Sequence, residues 1–81
     1  MTKREKLLAK ILSGRADANI PFDPTEALLE SLGFELRIRG SHHVFRKGDY
    51  FVDLQPTSGR KLKPYQAKQL REVLLQYKDD E

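Results

Sequence analysis

Three short segments in the middle of the chain, separated by two tight turns, constrain the fold more than any other feature. The first, FELRIR, alternates strictly between apolar and charged residues, which is typical of a strand with one buried and one exposed face. HHVFRK and YFVDL follow it, after Gly40-Ser41 and Gly48-Asp49. Turns as short as these join neighbouring antiparallel strands. The sequence therefore predicts a three-stranded antiparallel meander.

Amphipathic patterns on both sides of these strands predict three helices. The first is expected from about Lys3 to Ser13, and the third from Pro64 to about Tyr77. The second is expected to have Asp23 as its N-cap, Pro24 in its first turn and Gly33 at its end. The order α-α-β-β-β-α predicts an α+β fold with the helices covering one face of the sheet.

Length and composition exclude several classes of protein. A chain of 81 residues, 38% hydrophobic and 33% charged, is expected to form a single domain over residues 1–81. It has no cysteine, which excludes disulfides and thiolate zinc sites, and no apolar run near the roughly 18 residues that span a bilayer. We therefore expect a cytoplasmic protein without a membrane partner. The net charge of +3 is compatible with a nucleic-acid partner but is weak support for one.

The two histidines of the chain, His42 and His43, are adjacent and fall on opposite faces of the second strand. Phe45 is the larger apolar residue of that strand and is expected in the core, which puts His43 on the helix side and His42 on the open side. The opposite register would bury Arg46 and expose Phe45, at a greater cost. Because the two imidazoles diverge and no third His or Cys exists, we expect no metal site and no cofactor.

The open face of the sheet is predicted to be basic, with one imidazole and one aromatic ring. Its expected members are Arg37, Arg39, His42, Arg46 and Phe51. The expected neighbours of His42 are Arg37 or Arg39 on the first strand and Phe51 or Asp53 on the third. Guanidinium groups bind phosphates, an aromatic ring stacks on bases, and an imidazole can move a proton near neutral pH. Cleavage of RNA by its own 2′-hydroxyl needs a base, positive charge and an acid, and this face can supply the first two.

Simpler interpretations of the same residues also exist. A histidine pair beside a turn is often surface structure or turn capping. The cations Lys61, Lys63, Lys68 and Arg71 are expected to form a solvated helix face, with phosphate binding as the alternative.

Three segments together resemble the HicA toxins of bacterial toxin–antitoxin pairs: LLESLGF, ELRIRGSHHVFR and KLKPYQAKQLREVLLQY. The most specific parts are the Gly-Ser-His-His run followed by Phe45 and a basic residue, and the Leu-Lys-Pro run that opens the last helix. The resemblance covers about residues 20–77. Residues 20–78 would then be the core of a single HicA-like domain, and residues 1–19 an additional helix with its connector.

Membership of this family would imply a fold like that of the double-stranded RNA-binding domain. It would also imply a metal-independent mRNA endonuclease that arrests translation and is neutralised by a HicB-type antitoxin. The family's catalytic histidine follows Gly-Ser and maps onto His42, with His43 as second choice because some relatives carry it one position later. Contacts to RNA are expected from Arg37, Arg39, Ser41, Arg46, Phe51, Lys61 and Lys63.

This sequence departs from the family at one important place. Many members carry a further histidine near the end of the third strand, where this chain reads VDLQPTSG. Lys63, Tyr65 or Arg46 would then have to supply the charge or the acid. Two other functions stay open: a non-catalytic RNA-binding module of the double-stranded RNA-binding type, and a protein-interaction partner that pairs through an exposed sheet edge.

Overall fold

A computed structural model describes residues 2–80 and has the predicted order of elements. The helices are α1 (Lys3–Ser13), α2 (Phe22–Ser31) and α3 (Pro64–Asp79), with a short 3-10 turn at Asp17–Asn19. The strands are β1 (Glu35–Arg39), β2 (His42–Lys47) and β3 (Tyr50–Leu54). The α+β fold class is confirmed.

The three strands pair in the order β1-β2-β3, both pairs being antiparallel. Leu36, Phe45 and Val52 lie opposite one another on the face that the helices cover. Gly40 and Gly48 sit in the two turns with φ angles of 59° and 57°. Those angles are in the left-handed region that glycine adopts without a steric cost. The two turns predicted from Gly40-Ser41 and Gly48-Asp49 are therefore present, and they set the register of the strands.

The core lies between the helices and one face of the sheet, and every helix contributes to it. Its buried side chains are Ile11, Ile20, Phe22, Leu28, Leu29, Phe34, Phe45, Val52, Leu54, Leu62, Ala67, Leu70 and Leu74. Phe45 is fully buried, which confirms the predicted orientation of β2. Ile38 was predicted on the buried side and is 59% exposed, because it lies at the turn end of the edge strand β1, where no helix covers it.

Helix α1 has the predicted ends. The Thr2 hydroxyl accepts a hydrogen bond from the Glu5 backbone at 3.1 Å, and the Glu5 carboxylate accepts from the Thr2 backbone at 3.3 Å. Gly14 ends the helix in the left-handed conformation. This capping box satisfies two of the N–H groups that the first turn of a helix leaves without partners.

Arg71 of α3 binds the C-terminal end of α1. The prediction that Arg71 belongs to a solvated helix face is therefore wrong. Its guanidinium donates to the Ile11 carbonyl at 3.3 Å and to the Asp17 carboxylate at 2.8 Å, and its side chain is only 18% exposed. The hydrogen bond that Arg71 donates to the Asp17 carboxylate raises the pKa of Arg71 further. The residue therefore joins α1, the 3-10 turn and α3.

The start of α2 differs from the prediction. The helix begins at Phe22 with Pro21 in the N-cap position, and no side chain caps it. The Phe22 ring is buried, which draws the first turn into the core two residues earlier than expected. Asp23, the predicted N-cap, instead accepts hydrogen bonds from the Arg60 guanidinium, and this contact lowers the pKa of Asp23.

Candidate functional site

The open face of the sheet carries three rows of side chains, because residues of like parity on paired strands point to the same side. The register gives these rows as Arg39–His42, then Arg37–Val44–Asp53, then Glu35–Arg46–Phe51. The five residues that alternation assigned to this face therefore share it. The same face also carries two acidic residues: Asp53 in the middle row, and Glu35 at the far end, opposite Arg46.

His42 is held at the edge of this face by two polar neighbours. Its Nδ1 lies 2.9 Å from Oδ2 of Asp53, and the Gln55 amide nitrogen lies 3.0 Å from Nδ1 and 3.2 Å from Nε2. A carboxylate only accepts hydrogen bonds, so Nδ1 carries the proton in the neutral ring. Nε2 then bears the lone pair, and the Gln55 amide donates to it. The side chain of His42 is 50% exposed.

Asp53 is less accessible than His42 and is only partly satisfied. Its side chain is 35% exposed, and one carboxylate oxygen, Oδ1, is buried without a hydrogen-bond partner among the described residues. Buried polar atoms without a partner are uncommon in folded proteins. A carboxylate at this distance also stabilises the imidazolium that forms when the ring takes up a proton.

Hydrogen bonds from α3 hold the backbone of Gln55 in place. Gln66 of that helix is 3% exposed, and its amide, oriented to satisfy both groups, donates to the Gln55 carbonyl and accepts from the Gln55 N–H, each at 3.2 Å. This pair of bonds extends the hydrogen bonding of β3 by one residue beyond Leu54. The end of the strand, and with it the Gln55 side chain, is thereby fixed beside His42.

The arginines of the open face line a shallow cleft of about 480 Å³. Its walls are Glu35, Arg37, Arg39, Val44, Arg46 and Phe51. The Arg46 guanidinium lies 5.5 Å from the centre of the Phe51 ring, a cation–π distance. Phe51 is 47% exposed although it is a large aromatic residue. An exposed ring beside several guanidinium groups can bind a base and its phosphates together.

His43 occupies a different environment on the helix side of the sheet. Its Nδ1 lies 2.8 Å from Oε2 of Glu26, and its ring meets the Phe22 ring edge-on at 5.0 Å. Its side chain is 16% exposed. These contacts tie β2 to α2, which is a structural role, and they keep His43 away from the arginine cleft.

The remaining predicted site residues lie outside the cleft. Ser41 is exposed in the first turn. Lys61 donates to the Asn19 side chain at 3.2 Å, near the start of α2. Lys63 precedes the first residue of α3, with its ammonium 5.9 Å from the Tyr65 ring. The two lysines thus belong to the loop between β3 and α3 rather than to the sheet face.

Two residues of the His42 environment carry no assigned role in the sequence prediction, Asp53 and Gln55. The sequence does indicate where Asp53 lies, because it alternates with the buried Val52 and Leu54 and must face the open side. The sequence prediction named it only as a neighbour of His42. Gln55 follows the strand, where alternation ends, and its position depends on Gln66 of α3.

Neither a metal cluster nor a membrane span is found in the part of the chain that the structure describes. Across residues 2–80, no three His, Cys, Asp or Glu side chains are grouped so that they could hold a metal ion. Over the same residues, no helix is both long enough and apolar enough to cross a membrane.

These features define a small α+β protein with a basic sheet face and one exposed, carboxylate-paired histidine at its edge. The family model of the HicA toxin of bacterial toxin–antitoxin systems matches residues 25–76, well over half of the chain. The chain belongs to the HicA toxin family, and is the toxin of a toxin–antitoxin system with an antitoxin as its partner. No curated protein and no solved structure gives a significant match.

Proposed function

We propose that this toxin is a metal-independent endoribonuclease that cleaves mRNA, with His42 as its general base. The observation that carries the proposal is the position of His42: half exposed, oriented by Asp53 and on the same sheet face as three arginines. A HicB-type antitoxin that covers this face would neutralise the toxin. The alternative for the same face is RNA binding without cleavage.

The reaction would be transfer within the RNA chain. Nε2 of His42 takes the proton of a ribose 2′-hydroxyl, displacing the hydrogen bond from Gln55. The 2′ oxygen forms a bond to the adjacent phosphorus as the bond from phosphorus to the 5′ oxygen breaks. The products are a 2′,3′-cyclic phosphate and a 5′-hydroxyl. Asp53 stabilises the imidazolium, since its carboxylate accepts the Nδ1 proton.

The leaving 5′ oxygen needs a proton. This chain has no histidine near the end of β3 to donate it, so another side chain must act as the acid. A guanidinium keeps its proton in proteins, so Arg46 suits the binding of phosphate charge and not the acid role. Lys63 and Tyr65 remain as acids, and they lie on either side of Pro64, the first residue of α3. Arg37 and Arg39 would stabilise the charge that develops on the phosphoryl oxygens.

Single-stranded RNA fits the cleft better than a duplex does. An exposed ring such as Phe51 stacks on an unpaired base, whereas bases in a duplex are already stacked. Arg37, Arg39 and Arg46 would contact the phosphates on either side. Contacts to RNA beyond the cleft would come from Ser41, Lys61 and Lys63.

The two histidines provide a matched test. Purified parent, His42→Ala and His43→Ala are incubated with mRNA in the presence of a chelator, and their folding is compared by circular dichroism. We expect His42→Ala to lose about 10²–10⁴-fold in cleavage rate with its fold intact. We expect His43→Ala to cleave RNA while unfolding at a lower temperature, because it loses the Glu26 contact. If His42→Ala cleaves as fast as the parent, the assignment is wrong. RNA bound but left whole by the parent would instead identify a binding module.

A further inference from the structure

A groove between α1 and α2, on a different side of the molecule from the arginine cleft, has the features of a peptide-binding surface. It encloses about 400 Å³, and its floor is aliphatic, formed by Leu7, Pro21, Pro24 and Ala27. Its rim carries Lys3, Arg4, Lys6 and Lys10. We call it the α1–α2 groove. Most of it is built by α1, which precedes the residues that the family model matches.

Charge is concentrated at this groove. Its four cations exceed the net charge of the whole chain, +3, and within residues 2–80 no acidic side chain lines it. Three of the four acidic residues on the two helices are engaged elsewhere: Glu5 caps α1, Asp23 binds Arg60 and Glu26 binds His43. The fourth, Glu30, lies in the last turn of α2. The groove therefore presents a positive field over an apolar floor.

We propose that the α1–α2 groove binds an acidic segment of the antitoxin that also carries aliphatic side chains. The aliphatic side chains would fill the floor between Leu7 and Ala27 while the carboxylates meet the lysines of the rim. The proposal rests on family membership, which implies an antitoxin, and not on catalysis by His42.

The chemistry of the floor favours a peptide over RNA. Surfaces that bind single-stranded RNA combine cations with aromatic rings on which bases stack. The floor of this groove has proline and aliphatic side chains in place of such rings. An amphipathic helix in an apolar groove is a common mode of peptide recognition, and oppositely charged rims fix its orientation. The α1–α2 groove would thus be a second antitoxin-binding surface, in addition to the sheet face that the antitoxin covers to neutralise the toxin.

The test uses a short fluorescent peptide with Glu and Leu on one helical face, and a control peptide with Lys in place of Glu. Binding to the full chain is followed by anisotropy, and backbone NMR shifts locate the site. We expect the acidic peptide to bind and the lysine control peptide not to bind. Binding should change the backbone NMR shifts of Lys3, Lys6 and Ala27. Lys3→Glu combined with Lys6→Glu should weaken binding about tenfold or more. The matched pair Lys68→Glu and Lys78→Glu makes the same charge change on α3 and should alter binding by about twofold or less.

Three results would overturn the proposal: no binding of the acidic peptide at about 1 mM, shifts confined to the sheet face, or equal weakening by both charge-reversed pairs. Single-stranded RNA is tested in parallel, and RNA shifts in the groove would also overturn it. RNA cleavage by the parent is measured in the same preparations. Failure of catalysis would appear in the parent, whereas failure of docking would appear in the peptide experiment, so the two are distinguishable.

Discussion

His42 and Asp53 meet on a diagonal across β2 and β3. The register pairs Asp53 with Val44, yet its Oδ2 lies 2.9 Å from Nδ1 of His42, one row away. The contact determines which ring nitrogen carries the proton, because the carboxylate can only accept. It leaves Nε2 as the basic nitrogen of the neutral ring.

Asp53→Asn removes the charge and offers His42 an amide that can either donate or accept. We expect RNA cleavage to fall by roughly 10–10²-fold, less than for His42→Ala, because the ring stays in place but loses its fixed tautomer. Long-range ¹H–¹⁵N NMR of the imidazole would follow the tautomer directly. Glu26→Gln makes the same acid-to-amide change at His43 and should leave cleavage near the parent rate. Equal losses in the two variants would contradict the assigned role of Asp53.

Arg46→Ala should weaken RNA binding and reduce its dependence on salt. Each phosphate contact releases counterions from RNA, so the loss of one contact lowers the slope of log affinity against log salt concentration by about 0.7–1. Titrations of single-stranded RNA at several salt concentrations would measure this slope. Lys68→Ala, which removes one positive charge from the exposed face of α3, serves as control. A slope unchanged in Arg46→Ala would argue against phosphate binding in the cleft.

Phe45 and Phe51 lie on opposite faces of the sheet, so a pair of alanine substitutions separates the effect on stability from the effect on RNA binding. Phe45 is fully buried, and Phe45→Ala should lower the free energy of unfolding by about 3–5 kcal/mol. Phe51 is 47% exposed, and Phe51→Ala should lower it by less than about 1 kcal/mol while weakening RNA binding by about 1–3 kcal/mol. Urea unfolding and RNA titration measure the two effects. Loss of binding only in proportion to loss of fold would refute a stacking role for Phe51.

Because of the contact between Tyr50 and Asp80, the free energy of unfolding should fall as the pH rises into the alkaline range. The hydroxyl donates to the Asp80 carboxylate, and this hydrogen bond, with a smaller effect of burial, raises the pKa of Tyr50 from 10.0 to about 12. Because the folded pKa is the higher one, the contribution to stability is complete below pH 10 and is lost as the pH rises to about 12. Thermal unfolding across this range should show the loss, and Tyr50→Phe should abolish its tyrosine-dependent part. An Asp80→Asn variant with the parent's pH dependence would exclude the carboxylate as the cause.

Alternation along the strands was sufficient to predict the faces of His42, His43 and Phe45, because a period of two is intrinsic to the β conformation. It left Phe51 and Asp53 open as third-strand neighbours of His42, since the diagonal contact with Asp53 depends on rotamers and not on register. Nor could it predict Gln55, whose place is determined by a buried amide on α3. The sequence-based errors at Asp23 and Arg71 have the same origin, since each side chain finds a partner far away along the chain.

Helix α1 has a consequence for how much of the chain must be present. The family likeness begins at residue 25, yet the buried side chains of Ile11, Ile20 and Phe22 lie before that point. A protein trimmed to the matched residues would have a hole in its interior and would leave the Arg71 guanidinium without Asp17 and the Ile11 carbonyl. The limits of family likeness and the limits of a self-sufficient folding unit are therefore different in this molecule.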